Sequence, residues 1–255
     1  MRPAPQPPPT TLARKAPLPS IERRYRFLTW VFGGGVTVRD HEKHADAVTP
    51  IRGASVRGQL RFWWRACNPS GCTTIEELRK REGEIWGTTS TASQVEIVVS
   101  TQPSLPKPLA VYEYTDRGRL AIRKGMETIA YGAFPLQPAS NLQKTKTAPG
   151  VLYDYGSSTF VLRFRFAQGL GEDVEAALWA WETFGGLGGR TRRGFGAVAR
   201  VDGPGVGSVP AELAKYQDNP RIAGVPSLSH ARFKLARETR TGALEAWTEG
   251  LDLLQ

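Results

Sequence analysis

Cysteine and histidine are scarce in this sequence, and long apolar runs are missing from it. The 255 residues include two cysteines and three histidines. Two cysteines are too few for a disulfide framework, and this low number fits a reducing cytoplasm. No apolar run approaches the roughly 18 to 20 residues that a membrane-spanning helix needs, and the N-terminus lacks the apolar stretch of a secretory signal. We therefore expect a cytoplasmic protein with no membrane partner.

Acidic residues are outnumbered by basic ones. The chain has 24 Asp plus Glu against 34 Lys plus Arg, which gives a formal net charge of +10. Such a balance favours polyanionic partners, with nucleic acid first and an anionic membrane surface second. The 40% hydrophobic fraction and the seven tryptophans indicate a folded core.

Prolines are concentrated at the start of the chain, with seven among the first 20 residues. We expect residues 1–20 to form a disordered, extended tail, because such a composition cannot form a packed core. Residues 21–205 are predicted to form one domain, and residues 206–255 a helical C-terminal extension. One face of the segment 241–254 is predicted to be apolar, with Leu244, Trp247, Leu251 and Leu254.

Hydrophobic periodicity predicts the order strand, helix, strand, strand, helix, strand within the domain. The strands are expected at 25–32, 94–100, 160–167 and 195–201, and the helices at 55–66 and 172–184. This order is that of a ferredoxin-like α+β fold, whose open sheet face is an RNA-binding platform in other modules. The irregular segment 101–158 is predicted to be a long insertion, with weak strand signals near 109–114.

Arginines recur every four positions along the first predicted helix, for which Ser55 is the expected N-cap. Arg57, Arg61 and Arg65 therefore form one basic stripe. Arg52 lies at the positive end of the helix dipole, where a phosphate is stabilised. No acidic residue occurs in this part of the sequence, so a face neutralised by carboxylates is disfavoured. We predict that all four arginines contact phosphates.

A glycine-rich segment follows the second predicted helix, with six glycines and three arginines in residues 185–196. Glycine lets backbone N–H groups approach a ligand closely and permits positive φ, which suits an anion-binding nest. The segment is not a P-loop, because no Gly-Lys-Ser/Thr follows, and it lacks the preceding strand of a dinucleotide fingerprint. We expect it to share a groove with the helix arginines. The predicted RNA-binding residues of this segment are Gly185, Gly186, Gly188, Gly189, Arg190, Arg192 and Arg193.

Both segments resemble motifs of the RAMP superfamily, the ferredoxin-like RNA-binding proteins of CRISPR systems. Residues 185–196 look like the glycine-rich loop of that superfamily, and residues 51–66 are similar to its first-helix motif, Ser-x-Arg-Gly-x-Leu-Arg. Residues 55–65 most resemble the first subunit of the Cmr module in type III-B effectors, although proteins of that subunit are usually longer. The Pro-rich tail and the C-terminal helices are not part of the shared pattern.

The resemblance implies a non-catalytic RNA-binding subunit of a type III CRISPR ribonucleoprotein complex in antiviral defence. Its implied partners are guide RNA, target RNA and other effector subunits, and it implies no cofactor. Trp64 is a further candidate for stacking on a base, although its position on the first helix fits core packing better.

Two catalytic alternatives stay open. Backbone RAMP subunits of type III complexes cleave target RNA with an aspartate between the first strand and the first helix, where this chain has Asp40 and Asp46. A guide-processing endoribonuclease would instead use His41 or His44 as general base, since the pKa of histidine lies near neutrality.

A structural zinc site is a separate possibility. His41 and His44, together with Cys67 and Cys72, include enough donors for four zinc ligands. Cys67 also fits the apolar stripe of the first helix as a core residue. We therefore assign no catalytic residue and no metal ligand from the sequence.

Overall fold

The computed structural model describes residues 17–33, 50–138, 149–205, 208–232 and 242–252. The helices in these ranges are α1 (Gly53–Cys67), α2 (Ile75–Trp86), α3 (Glu127–Gly132), α4 (Gly171–Phe184), α5 (Val209–Ala214) and α6 (Ala243–Asp252). The strands are β1 (Ser20–Phe27), β2 (Val31–Phe32), β3 (Val95–Thr101), β4 (Lys107–Ala110), β5 (Tyr112–Tyr114), β6 (Leu120–Ile122), β7 (Val151–Asp154), β8 (Thr159–Phe166) and β9 (Val198–Arg200). Two 3-10 turns lie at Phe134–Leu136 and Thr191–Arg193.

Four antiparallel strands form the main sheet in the order β3-β8-β1-β9. Strand β1 is central and pairs with β8 and β9, the third and fourth strands of this sheet in chain order. Tyr25 therefore lies opposite Phe160 of β8 on one side and Arg200 of β9 on the other. This is the strand order of the ferredoxin-like plan. The fold class predicted from the sequence is therefore confirmed.

The main core lies between this sheet and helices α1 and α4. The predicted alternation along β8 is confirmed, because Phe160, Leu162 and Phe164 are fully buried on one face. The α4 helix covers that face with Leu178 and Trp181, which are also fully buried. Each such side chain stabilises the fold by roughly 1.5 to 3 kcal/mol.

Strand β1 places one charged side chain on the buried face of the sheet. Arg23 is 7% exposed, donates a 2.9 Å hydrogen bond to Glu182, and also pairs with Glu175. The Tyr25 hydroxyl donates to the same Glu182 carboxylate at 2.6 Å. Burial opposes the charged form of Arg23, but the charge and hydrogen bond of Glu182 together with the hydrogen bond of Glu175 outweigh burial, and the pKa of the guanidinium is raised. Burial and the Glu182 charge together raise the pKa of Tyr25.

The predicted strand 25–32 is two strands with a bend between them. β1 ends at Phe27, and β2 begins at Val31 and pairs with β7 in a second sheet of order β2-β7-β4. Thr29 makes the bend, because its hydroxyl donates to the Gly194 carbonyl at 2.6 Å and accepts from the Ala197 N–H at 2.9 Å. These side-chain bonds replace the strand ladder and direct the chain into the second sheet.

Helix α2 is absent from the sequence prediction. Its N-terminus is a capping box, in which Thr74 accepts a hydrogen bond from the Glu77 N–H and the Glu77 carboxylate accepts one from the Thr74 N–H. The pattern Thr-x-x-Glu before an apolar-periodic segment is a recognised start signal, so this helix was predictable.

A second, smaller core lies beneath the insertion and includes the C-terminal helix α6. Its buried residues include Val111 from the insertion, Phe195 and, from α6, Trp247 and Leu251. The predicted helix 241–254 is therefore confirmed in its centre. Leu244 does not belong to the buried face, since it is 41% exposed, and Leu254 lies outside the described residues.

The described part of the C-terminal region is not helical throughout. Residues 215–232 form turns and irregular chain between α5 and the gap that precedes α6, so the expectation of a helical segment is wrong there. The predicted division at residue 205 remains a prediction. The tail is described only from residue 17 onward, and Ser20 already belongs to β1. No helix in the described ranges is long and apolar enough to cross a membrane.

Candidate nucleic-acid interface

The first turn of α1 has no side-chain cap. Arg52 occupies the N-cap position in an extended conformation, and Ser55, the predicted cap, lies inside the first turn with its N–H donating to the Arg52 carbonyl at 3.0 Å. Gly53 allows this start, because a Cβ there would lie 2.9 Å from the Ile97 carbonyl oxygen of β3. The first turn contains no acidic residue, so the turn itself supplies no negative charge to the positive end of the helix dipole.

Two arginines of the predicted stripe are held by a carboxylate from α2. Glu82 Oε1 accepts from Arg61 Nε at 2.6 Å and from Arg65 Nη1 at 2.5 Å. The Glu82 side chain is 8% exposed. The sequence argument that no carboxylate faces the stripe is therefore wrong, since packing of α2 on α1 brings in an acid that lies 17 and 21 residues further along the chain.

The other two arginines of the first motif have no carboxylate partner among the described residues. Arg52 is exposed. Arg57 is half-buried, and its Nε is shielded from solvent without a hydrogen-bond partner in the described structure. A buried donor without an acceptor costs about 1 to 3 kcal/mol. A phosphate from outside would meet the solvent-accessible part of the half-buried guanidinium and not this shielded Nε.

A groove of about 460 Å³ lies between the start of α1 and the glycine loop, residues 185–196. Its polar and glycine lining comprises Gly33, Arg52, Ser55, Gly58, Gln59, Gly188 and Gly189. Its apolar lining comprises Phe27, Val31, Phe32, Pro50, Ile51, Ala54, Tyr155 and Leu187. This described lining contains no histidine and no carboxylate.

Gly58 is a groove residue that the sequence analysis did not single out. It is exposed in the middle of α1, and a Cβ built on it would meet nothing within 4 Å. Glycine in a helix interior costs roughly 0.5 to 1 kcal/mol relative to alanine. No described neighbour requires this glycine, so its effect is an open space on the helix. A glycine inside a strongly amphipathic helix was the signal that could have found it.

The glycine loop uses much of its backbone to bind the rest of the protein. Its N–H groups at 185, 187 and 189 donate to the carbonyl oxygens of Trp181 (2.8 Å), Gly196 (2.8 Å) and Phe32 (2.7 Å). At Gly188 the backbone has φ +90, and a Cβ would lie 2.8 Å from the Phe32 carbonyl oxygen. The expected nest of free donors is therefore wrong for these three amides, and glycine is needed here for close contact with β2.

The three loop arginines lie outside the groove. Arg190 has a left-handed backbone (φ 53), its Nε donates to the Gly132 carbonyl, and its guanidinium lies 4.8 Å from the centre of the Phe134 ring. Arg193 lies 5.5 Å from the centre of the Tyr131 ring. Arg192 is exposed beside them. The structure thus brings Gly188 and Gly189 to the first motif and directs the loop arginines toward α3, contrary to the expectation of one shared groove.

Two further candidates of the sequence analysis are core residues. Trp64 is fully buried, and its indole donates to Asp173 at 2.8 Å, so it is closed to a base. Cys67 is 1% exposed and its thiol donates to the Ala176 carbonyl at 3.5 Å. Burial raises the pKa of the Cys67 thiol to about 12. Cys72 packs in the main core, whereas Cys67 belongs to a separate cluster.

The remaining candidates lie outside the described residues. These are Asp40 and Asp46, named for target cleavage, and His41 and His44, named for guide processing or zinc binding. Within the described ranges, no group of three or more His, Cys, Asp or Glu side chains is arranged to hold a metal ion.

Comparison with known proteins gives consistent matches. The family model of the RAMP superfamily matches residues 24–199. The curated protein "CRISPR system Cmr subunit Cmr1-1" of Pyrococcus furiosus is 28% identical over 152 residues, which are 59% of this chain and 40% of that protein. This chain therefore spans less than half the length of that relative.

Solved structures match at lower identity. The crystal structure of apo Cmr1 from Pyrococcus furiosus is 20% identical with a TM-score of 0.46, over 76% of this chain and 52% of that one. Cmr6 from the same organism is 11% identical with a TM-score of 0.36, over 72% of this chain and 98% of that one. Since the family model spans well over half of the sequence and both motifs lie within it, the chain belongs to the RAMP superfamily.

Proposed function

We propose that this chain is a non-catalytic RNA-binding subunit of a type III-B (Cmr) CRISPR ribonucleoprotein complex. It grips guide RNA, the guide–target duplex, or both by phosphate contacts, and other effector subunits are its protein partners. Membership of the RAMP superfamily supports this proposal, as does the likeness to a curated protein named as a Cmr subunit. The net charge of +10 is of the right sign for an RNA partner.

The observation that most supports RNA binding is the first turn of α1, which has neither a side-chain cap nor an acidic residue. Three features occur within five positions of one another. The helix N-terminus has no side-chain cap, Arg52 is exposed, and the shielded Nε of Arg57 has no partner among the described residues. All three are deficient in negative charge or in hydrogen-bond acceptors. A phosphate supplies both to the helix start, to Arg52 and to the solvent-accessible part of the Arg57 guanidinium, and the open space over Gly58 lets a nucleic-acid backbone come close.

The arginines paired with Glu82 keep a secondary role in the proposal. Each guanidinium has five N–H donors, and Glu82 accepts from one nitrogen of Arg61 and one of Arg65. Both side chains are about one-third exposed, so donors remain for a phosphate. Arg190, Arg192 and Arg193 are proposed to add phosphate contacts on the other side of the loop.

The described lining of the groove is compatible with binding without cleavage, while Asp40, Asp46, His41 and His44 lie outside the described residues. The described lining has guanidinium, hydroxyl, amide and apolar groups, but no side chain that titrates near neutrality as an acid or base. Phosphate contacts carry no base information. Any sequence specificity would therefore come from pairing between guide and target.

The test is RNA binding by the full chain across a salt series, comparing the wild type with the double variant Arg52→Ala/Arg57→Ala. The variant should bind more weakly. The negative slope of log affinity against log salt should become shallower, by about 1 for each lost phosphate contact. A gel of the bound RNA should show it uncleaved.

The matched control is Arg117→Ala/Arg119→Ala. These two exposed arginines lie at the turn between β5 and β6, outside the groove lining, and no described carboxylate pairs with them. The control removes the same charge without touching the groove, so it measures the non-specific effect of net charge. If the two double variants lose affinity and salt slope equally, the groove is not the binding site.

A further inference from the structure

The loop arginines share a surface with exposed aromatic rings. Phe134 is 56% exposed and Tyr131 is 38% exposed. Together with Arg190, Arg193 and the 47% exposed Ile122 they line one depression of about 440 Å³. We call these five residues the aromatic–arginine face. It is separate from the groove at the start of α1, because no residue lines both.

The rings point outward because the other side of this segment is already committed to the core. In α3 and the turn after it, the buried positions are Ile129, Ala130, Ala133 and Leu136. Positions 131 and 134, three residues apart, occupy the opposite side. Tyr131 on α3 and Phe134 in the turn after it are each more than a third exposed, and such adjacent exposed apolar groups typically mark an interaction site.

Hydrogen bonds hold the backbone on both sides of the face. The Tyr112 hydroxyl donates to the Ala130 carbonyl at 2.8 Å, which holds α3 against the insertion. The loop is held from the other side, where the Trp247 indole donates to the Arg193 carbonyl at 2.8 Å. At Gly194 a Cβ would lie 2.6 Å from the Trp247 ring. The backbone that bears the rings and the guanidiniums is therefore anchored on both sides of the face.

The positive charge of the loop arginines limits the kind of ligand that can bind to this face. Arg190, Arg192 and Arg193 lie within four positions, and none is ion-paired with a carboxylate among the described residues. Glu127 is the one carboxylate in the described lining, and it accepts the Gly125 N–H at 3.1 Å. An apolar protein surface would bury these guanidiniums without partners, which is costly. A ligand with flat rings joined by negative charges satisfies both parts of the face.

We propose that the aromatic–arginine face binds unpaired bases of single-stranded RNA. One base stacks on the side of the Phe134 ring that the Arg190 guanidinium leaves open, and the flanking phosphates bind Arg192 and Arg193. Bases within a duplex are already stacked and cannot reach the rings, so the face selects unpaired RNA. The proposal rests on the proposed function and adds a second contact with different chemistry.

The experiment measures binding of the full chain to three probes. They are an unstructured mixed-sequence RNA, an abasic ribose-phosphate chain of the same length, and a blunt RNA duplex. Phe134→Ala should weaken binding of the unstructured RNA about tenfold, the loss expected for one stacked base. It should leave the abasic chain, the duplex and the salt slope unchanged, since no charge is removed.

Two substitutions at the same position separate stacking from simple apolarity. Phe134→Leu keeps the apolar volume but removes the π-system, so its affinity for unstructured RNA should fall nearly as far as that of Phe134→Ala. Phe134→Trp should retain or improve it. The side chain is exposed, so none of these changes should alter the thermal midpoint, which is checked on each variant. Leu105→Ala, at a 67% exposed leucine, is the control for loss of an exposed apolar group.

The outcomes separate this inference from the proposed function. Unchanged affinity of Phe134→Ala for unstructured RNA, while Arg52→Ala/Arg57→Ala still flattens the salt slope, overturns the inference alone. Wild-type affinity of Phe134→Leu for unstructured RNA would show that stacking on the ring is not needed, and would also overturn the inference. Absence of RNA binding by the wild type would overturn both proposals.

Discussion

Replacing Gly58 by leucine should stabilise the protein and weaken RNA binding at the same time. The position is exposed in the middle of α1, and nothing lies within 4 Å of a Cβ built there. Leucine is a strong helix former, so Gly58→Leu should add about 0.5 to 1 kcal/mol to the free energy of unfolding. For a domain of this size that corresponds to a rise of about 1 to 4 °C in Tm.

The same side chain would occupy the groove between α1 and the glycine loop. If a nucleic-acid backbone approaches the helix there, the affinity of the variant for RNA should fall about tenfold or more, equivalent to about 1.4 kcal/mol. The assays are thermal unfolding and RNA titration on the same preparations. A gain in one and a loss in the other is the expected pattern for a residue retained for binding.

Gly250 provides the matched control. It is exposed on α6, it also has nothing within 4 Å of a built Cβ, and it does not line the groove. Gly250→Leu should raise Tm by a similar or smaller amount and leave RNA affinity unchanged. The reasoning is refuted if Gly58→Leu is stabilised but binds RNA like the wild type, because the open space would then have no role in binding.

Three further predictions concern stability and charge. Arg23→Ala should cost about 3 to 5 kcal/mol in denaturant unfolding, because the largely buried Glu182 loses its cationic partner and keeps only the Tyr25 hydroxyl. Glu82→Gln should cost about 1 to 3 kcal/mol but should steepen the salt dependence of RNA binding, because the two arginines it holds are freed for phosphates. The folded-state pKa of Cys67, about 12, is above that of an exposed thiol, about 8.5. The unfolding free energy should therefore fall between those two pH values, by at most about 1.4 kcal/mol per unit, as the unfolded state alone loses the proton.

For each of these three predictions, one result would contradict the reasoning. Arg24→Ala, one residue away on the exposed face of β1, should change stability by less than about 0.5 kcal/mol, and a loss as large as that of Arg23→Ala would refute the role of burial. An unchanged salt slope in Glu82→Gln would mean that the freed arginines do not reach RNA. In Cys67→Ala the alkaline loss of stability should be smaller, and an identical pH profile would assign the effect to other groups.

The sequence was sufficient for the elements whose periodicity is strong. Strand β8 and helix α4 were predicted within one residue at each end, because alternation and the helical stripe both reflect burial against the same core. The ferredoxin-like order followed from those elements. The RAMP motifs followed from local residue types, since a glycine-rich loop with arginines and a basic helix are visible without knowledge of packing.

The local start and stop signals were less well predicted. Ser55 has the residue type of a cap, yet α1 begins two residues earlier at Gly53, where contact with the Ile97 carbonyl requires a residue without a side chain. The strand predicted at 25–32 is divided at Thr29 by bonds to residues that lie 165 and 168 positions away. Those partners are distant in sequence, so no local pattern indicates them.

The sequence by itself determined the fold class through short-range periodicity, the positive character of both motifs through composition, and the superfamily through the resemblance of the two motifs. The tertiary structure alone decided which charges are free. It brought Glu82 onto Arg61 and Arg65, placed no described carboxylate beside Arg52 or Arg57, and directed the loop arginines to exposed rings instead of into the groove. The physical reason is that ion pairing and stacking act over a few ångströms in space between side chains far apart along the chain.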